Sequence, residues 1–342
     1  MTKIIDLRSD TVTKPTPGML EAMMHAEVGD DVWNEDPTVH ELERKAARLF
    51  GMQAGLFCPS GTMTNQIAIR LMTKPQDEVV CDQRAHIYNY EGGGIAYNSF
   101  CSVRLLDGDR GRLSAKMVEE NILADDIHYP RTSLIALENT VNKGGGSIYT
   151  VDRIGTISQV CRRHKLGLHL DGARVFNALV ETGEDPVEYG RYFDTISVCL
   201  SKGLGAPVGS VLLLPADKVQ EAKRIRKVFG GGMRQAGFLA AAGIYALDHH
   251  VKRLREDHKR ARELGQTLEK LPFVEHVLPV DTNIVIFRLA ADLEPAPLLQ
   301  KMKQKGLMAA PFGKKEIRFV THLDYTGEMH QQVIRILKEL NP

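Results

Sequence analysis

The sequence predicts an α/β protein: a large unit built on a mostly parallel sheet, then a smaller α+β unit at the C-terminus. Three observations carry this. In the middle of the chain, strand-like apolar runs alternate with helix-like stretches, the pattern of a parallel sheet covered on both faces. After Pro272 that alternation gives way to short strands flanking single helices. The 342 residues also exceed one small core, because domains of about 100–200 residues make two units the natural expectation. The expected division is residues 1–271, ending with a long linking helix, and residues 272–342.

The elements follow in order. A helix is expected near Val39–Phe50, then a turn at Cys58-Pro-Ser-Gly61 and a second helix over Thr62–Met72. Candidate strands are Glu78–Cys81, Ser102–Leu106, Ser133–Leu137, Gly167–Leu170 and Thr195–Leu200. Ser210–Leu214 reads as a strand that reverses direction after Pro207. The basic run Lys218–Lys227 places its apolar residues at helical spacing and reads as a solvated helix face. One long helix is expected over Gln235–Leu271. In the C-terminal unit, strands near Asn283–Leu289 and Glu316–Thr321 flank a helix near Ala296–Lys305, and a last helix covers Gly327–Leu340.

Composition narrows the function. With 44 basic and 43 acidic side chains the net charge is +1, so no strong field recruits nucleic acid or an acidic membrane. No stretch approaches the ~18–20 apolar residues of a membrane span, and the N-terminus lacks an apolar signal core. The five cysteines are scattered, without a Cys-x-x-Cys, which fits a reducing, cytoplasmic setting. No Gly-x-Gly-x-x-Gly follows a strand, and neither His-Glu-x-x-His nor a paired cysteine site suggests zinc, so no metal site is expected.

The chemistry centres on Lys202. The strand Thr195–Leu200 ends on Ser201-Lys202, and the preceding strand, Gly167–Leu170, ends on Asp171, so both groups should face one crevice. A lysine that forms an imine and an aspartate that pairs with a pyridinium nitrogen are the minimum equipment of a pyridoxal phosphate enzyme. A lysine after a strand is ordinarily a solvated loop residue; the two motifs in order favour the functional reading. Ser60-Gly61-Thr62 at a helix mouth suits a phosphate, through unpaired first-turn N–H groups and the helix dipole, although the same residues also make a plain N-cap. His86 could stack on a ring, move protons, or be a surface loop residue; His128 carries a weaker signal. Arg174, three residues after Asp171, leaves the same strand edge. Arg318 alternates with Ile317 and Phe319, and its fork suits a substrate carboxylate or plain solvent. Arg234, after Gly230-Gly-Gly232, stands at a helix start against the dipole, as if held there by an anion such as a phosphate in a neighbouring subunit.

Taken together, these residues resemble the low-specificity L-threonine aldolases along nearly the whole chain. The matching stretches run from Asp6-Leu-Arg-Ser-Asp-Thr-Val-Thr13, Glu27-Val-Gly-Asp-Asp31, Glu35-Asp-Pro37 and Pro59-Ser-Gly-Thr62 onward. They continue through Leu137-Glu-Asn-Thr140, His169-Leu-Asp-Gly-Ala-Arg174, Cys199-Leu-Ser-Lys-Gly-Leu-Gly-Ala-Pro-Val-Gly209 and Gly230-Gly-Gly-Met-Arg-Gln-Ala-Gly237. The resemblance implies the fold-type I, aspartate aminotransferase-like architecture of pyridoxal phosphate enzymes. It implies that Lys202 carries the cofactor, Asp171 pairs with its ring nitrogen and His86 stacks on the ring. Ser60, Gly61 and Thr62 would hold the phosphate, with Arg234 and Lys227 reaching it from another subunit. Ser9, Arg174 and Arg318 would take the substrate carboxylate, and His128 matches a histidine near the β-hydroxyl.

The family forms homotetramers of dimers with shared active sites and cleaves L-threonine and L-allo-threonine, reversibly, to glycine and acetaldehyde. One departure stands out: where relatives commonly read Asp-Asp-Val-Tyr-Gly-Glu-Asp-Pro, this chain has Trp33-Asn34, on a loop the family places at the dimer's active-site mouth. That substitution bears on the preferred aldehyde size. A β-eliminating lyase, an aminotransferase, a serine hydroxymethyltransferase-like enzyme or a non-catalytic cofactor carrier would share the lysine, the aspartate and the phosphate loop. Against the carrier stands the proton-handling pair His86 and His128.

Overall fold

The computed structural model of the chain describes residues 4–340. A short strand, β1 (Ile5–Asp6), opens it. The large sheet then collects β2 (Ala54–Cys58), β3 (Asp77–Asp82), β4 (Ser102–Leu106), β5 (Arg131–Glu138), β6 (Gly167–Gly172), β7 (Thr195–Cys199) and β8 (Ser210–Leu214). Their order across the sheet is β2-β8-β7-β6-β5-β3-β4. From β7 to β4 every pairing is parallel, whereas β8 runs antiparallel to both neighbours. Most residues of β3 and of β5–β8 are buried, which is why these strands read as apolar runs rather than as alternating ones.

The smaller unit holds β9 (Val274–Val277), β10 (Ile284–Leu289), β11 (Leu307–Met308), β12 (Ala310–Phe312) and β13 (Glu316–Val320). Four of them form an antiparallel sheet in the order β12-β13-β10-β9. β11 instead pairs in parallel with β1, so the N-terminus is stitched to the C-terminal unit. Ile5 and Leu7 accordingly pack in a second core with Phe287, Phe319 and Leu337.

Two expectations need correction. The segment expected as one helix over 235–271 is two, Gly237–His249 and Leu254–Leu268. Tertiary contacts hold the break: His250 Nδ1 lies 2.7 Å from the Leu204 carbonyl oxygen, and Tyr245 packs against the rings of both His249 and His250. The basic helix Val219–Val228 is not wholly solvated either. Arg226 is buried, donating to Asp31 Oδ2 at 2.8 Å and to the Phe57 carbonyl at 2.6 Å. A helix-length sequence window cannot reveal that partner, because it lies nearly 200 residues away.

Candidate active site

In an open parallel sheet, ligands bind outside the carboxyl ends of the strands. Here three adjacent strands end on charged groups at that edge. Glu138 closes β5 and lies in register beside Asp171 of β6, which in turn pairs with Ser197 of β7. Lys202 follows β7 by three residues and is half-buried. Its carbonyl accepts from Thr13 Oγ1 at 3.1 Å, which ties the N-terminal segment over the crevice.

The helix Gly61–Met72 points its first turn at the same edge. Ser60 caps it, its Oγ accepting from Met63 N at 3.2 Å. One turn on, Thr64 Oγ1 lies 2.6 Å from Ser197 Oγ, and Asn65 Nδ2 donates to Asp171 Oδ2 at 3.0 Å. Position 61 must be glycine, because an added Cβ would lie 2.5 Å from Cys199 Sγ. The helix start, with its unpaired N–H groups, is thereby pressed close to the strand ends.

His86 begins the short helix His86–Asn89. Its backbone N–H donates to Glu138 Oε2 at 2.8 Å, and its Nδ1 lies 3.0 Å from Glu91 Oε1. Burial alone would lower its proton affinity, but the Glu91 hydrogen bond and the charges of Asp171 and Glu138 raise it. Glu138 is itself pushed up to about 7, first by burial and then by the neighbouring Asp171 charge. Side-chain N and O atoms of His86, Glu91 and Asp171 lie within 4.8 Å of one another. Asn65 already donates to both carboxylates.

Arg174 is buried and grips Asp10 in a two-pronged pair, Nε to Oδ2 at 2.8 Å and Nη2 to Oδ1 at 2.7 Å. Burial would raise the Asp10 carboxyl, yet the Arg174 guanidinium, with help from Lys202 and Asn283, holds it at about 2. Two of Arg174's nitrogens are thus committed before any substrate arrives. Ser9 stands next to that pair, its Oγ accepting from Thr11 N at 3.2 Å.

Arg318 reaches across from β13. Its Nη1 donates to Asn142 Oδ1 at 2.7 Å and its Nη2 to the Arg8 carbonyl at 3.0 Å, while its buried Nε has no partner among the described residues. Burial and the like charge of Arg174 bring its proton affinity down to about 10.

Other expected site residues stand elsewhere. Arg234 is exposed and pairs with Asp30 at 2.8 Å. An added Cβ at Gly232 would lie 3.3 Å from Lys227 Nζ and 3.6 Å from Val32, so the glycine turn packs against the Trp33 loop. Trp33 is 73% exposed. Asn34 takes a left-handed conformation at φ 62°, which explains why asparagine can stand where relatives carry glycine.

His128 does not join the crevice of its own chain. It is exposed, bonded to Asp126 at 2.6 Å, and lies just before Arg131, where β5 begins. Eight residues of strand, roughly 26 Å, separate that end from Glu138.

The residues present suit pyridoxal phosphate. The crevice combines an amine for the aldehyde, a buried carboxylate for the ring nitrogen and an anion-binding helix start, and the orphaned Arg318 Nε suits an anionic substrate group. Sequence reasoning assigned no role to Asp10, Asn65, Glu91, Glu138 or Asn142. Asp10 and Glu138 lie inside the stretches singled out above and Asn142 just past one; Asn65 and Glu91 fall outside them.

Fold and site together define a pyridoxal phosphate-dependent lyase of fold type I. The sequence profile of the β-eliminating lyases matches residues 6–292. The low specificity L-threonine aldolase of Escherichia coli K12 is 42% identical over 333 residues, spanning 96% of this chain and 97% of that protein. Low-specificity L-threonine aldolase 1 of Arabidopsis thaliana is 36% identical over 349 residues, spanning 98% of each. The solved structure of a Leishmania major threonine aldolase superposes with a TM-score of 0.84 at 22% identity, covering 97% of this chain and 98% of its own, and so supports the fold. The chain belongs to the β-eliminating lyase family, within its group of low-specificity L-threonine aldolases.

Proposed function

We propose that this protein cleaves L-threonine and L-allo-threonine between Cα and Cβ, giving glycine and acetaldehyde, and accepts other β-hydroxy-α-amino acids reversibly. The observation that carries the reading is the convergence of Lys202, Asp171 and two arginines at one strand edge, in a chain whose relatives are named for this activity. When bound, pyridoxal phosphate supplies an aldehyde carbon and an electron-withdrawing ring that accepts the electron pair left as the Cα–Cβ bond breaks.

Lys202 would anchor the cofactor, and Asp171, held by Asn65 and the Ala173 N–H, would pair with its ring nitrogen. Ser60, Gly61 and Thr62 bind the phosphate at the helix start. Ser9, Arg174 and Arg318 orient the substrate carboxylate, Arg318 contributing its Nε, a donor left unpaired among the described residues. His86 has Nδ1 committed to Glu91, so Nε2 is the nitrogen left to exchange a proton with the β-hydroxyl.

Lys227 and Arg234 meet a phosphate across a subunit contact, a role their exposure on one chain leaves open to them. His128 serves only a neighbouring chain's crevice, because its own lies a full strand away. The assembly is a homotetramer of dimers with shared sites; exposed Trp33 and Val228 fit burial between subunits. We divide the chain into a cofactor-binding unit over 1–271 and a smaller unit over 272–342, to whose core Ile5, Leu7, Ala261, Leu264 and Leu268 contribute. Five buried, unpaired cysteines suit a reducing cytoplasm. Among the described residues no helix is long and apolar enough to cross a membrane.

The test is the product profile of purified protein given L-threonine, L-allo-threonine and their D-forms. Acetaldehyde and glycine from the L-forms, without a keto-acid acceptor or folate, are expected. A requirement for either co-substrate, or ammonia release without acetaldehyde, would overturn the reading.

A further inference from the structure

One hydrogen-bonded chain in the crevice has a direction that can be read from its chemistry. Asn65 Nδ2 donates at once to Glu91 Oε1 at 2.8 Å and to Asp171 Oδ2 at 3.0 Å, and all three side chains are buried. Two carboxylates can accept only from an N–H, so the amide must turn its nitrogen toward them and its oxygen away. That oxygen lies 3.1 Å from His169 Nε2, which must therefore carry a proton. Burial drives His169 down to about 4, so at neutral pH the ring is uncharged and Nδ1 is an acceptor. Thr195 Oγ1, 2.8 Å from Nδ1, is the matching donor. Each link admits one orientation, running from Thr195 through His169 to Asn65. His169 and Asp171 stand two residues apart on β6, so they share the sheet face on which Asn65 sits.

The surroundings reinforce the arrangement. Gln66, the next residue of the same helix, donates to Glu91 Oε2 at 2.7 Å. Its amide fills the space over Gly94, where an added Cβ would lie 2.6 Å away. Gly94, the last of the three glycines that follow Glu91, is therefore required by the polar network itself. Without a shared donor, two buried carboxylates this close would repel each other, and one would take up a proton.

We propose that Asn65 is a positioning residue for the reaction, its amide holding the Asp171 and Glu91 side chains in fixed orientation beside His86. Asp171 is then aimed at the cofactor ring, and Glu91 keeps the His86 proton on Nδ1. The titratable and charged groups facing His86 are Glu91 and Tyr90 from its own segment, Glu138 from β5 and Asp171 from β6, with Lys143 over the Tyr90 ring. The helix Gly61–Met72 contributes the neutral amides of Asn65 and Gln66. The assignment rests on the cofactor reading above.

The experiment compares wild-type and Asn65→Leu holoenzymes, leucine filling a similar volume without donors. Two readouts are taken: the pH titration of the cofactor's visible absorbance, and kcat and KM across pH. Losing hydrogen bonds to charged groups should raise the carboxyl proton affinities, so the acid limb of kcat/KM and the absorbance midpoint move to higher pH by about one to two units. At the same time kcat should fall roughly 10- to 100-fold with KM within about twofold. Unmoved midpoints with wild-type kcat overturn the proposal. So does a fall in active fraction alone, the mark of a merely structural role. If Asn65→Leu does not fold, His169→Leu leaves the amide orientation unfixed and should move the midpoint the same way by less; no movement overturns the proposal equally. The absorbance titration needs no substrate. Wild-type protein that binds the cofactor but leaves threonine intact would refute the reaction while the Asn65 assignment is still read from the spectrum.

Discussion

The crevice at the carboxyl edge of the large sheet and the loops carrying Trp33, Lys227 and Arg234 differ in how far one chain finishes them. In the crevice polar groups find partners from distant parts of the same chain: Asp10 with Arg174, Asn65 with Asp171, and the His86 backbone N–H with Glu138. On the loops the side chains of Trp33, Lys227 and Arg234 are exposed, and the pair between Arg234 and Asp30 lies at the surface. The first region is preorganised for electrostatic work, since buried, fixed dipoles need no rearrangement during reaction. The second lacks that preorganisation until something covers it, and we assign the covering to another subunit.

That contrast can be broken from either side. The largest effect is expected from Lys202→Ala, which should reduce turnover roughly a thousandfold or more and remove the cofactor's bound absorbance band, as measured by steady-state rate and spectrum. Asp171→Ala should follow, lowering kcat about a hundred- to thousandfold while leaving KM nearly unchanged, because it acts on the ring and not on the substrate carboxylate. Arg318→Ala should raise KM for L-threonine roughly 10- to 100-fold, the value of a charge-assisted hydrogen bond, with a smaller change in kcat. An unchanged KM would remove Arg318 from the carboxylate site.

Asp10 sharpens the comparison through pH. Its folded proton affinity, about 2, lies below the unfolded value near 4, so its contribution is present above pH 4 and lost as pH falls through about 2. The Asp10–Arg174 pair should therefore add roughly 2 kcal/mol at neutral pH, and Asp10→Asn should flatten acid unfolding in that window, followed by denaturant melts at pH 2 to 6. The smallest effect is expected at the far edge. His128→Ala should lower kcat about tenfold. If His128 works in a neighbour's crevice, mixing His128→Ala with Lys202→Ala chains should recover part of the lost activity; no recovery would confine each site to a single chain.

What was legible in the sequence tracks the range of the force involved. Strands such as Ser102–Leu106 and Ser210–Leu214 were read with their true limits, because apolar β-branched runs and flanking breakers are local signals. β2 was missed: Ala-Gly-Leu-Phe-Cys is short, contains glycine, and owes its strand state to pairing with β8 more than 150 residues later. The break between Gly237–His249 and Leu254–Leu268 was missed for the same reason, since the Leu204 carbonyl that anchors His250 is not its sequence neighbour. In the site, Lys202 and Asp171 were readable because strand ends announce themselves. Asn65 was not, because an asparagine inside a helix looks like a solvated residue until Asp171 and Glu91 are brought against it. His128 shows the converse limit: a motif can match while the residue stands a full strand away from its own chain's crevice.

We assign Lys202 as the amine that carries the cofactor. Reduction of the holoenzyme with borohydride, followed by peptide mapping, tests it most directly. A single pyridoxyl label on the peptide containing Ser201-Lys202-Gly203 is the predicted result. A label on any other lysine, or none at all, would contradict the account.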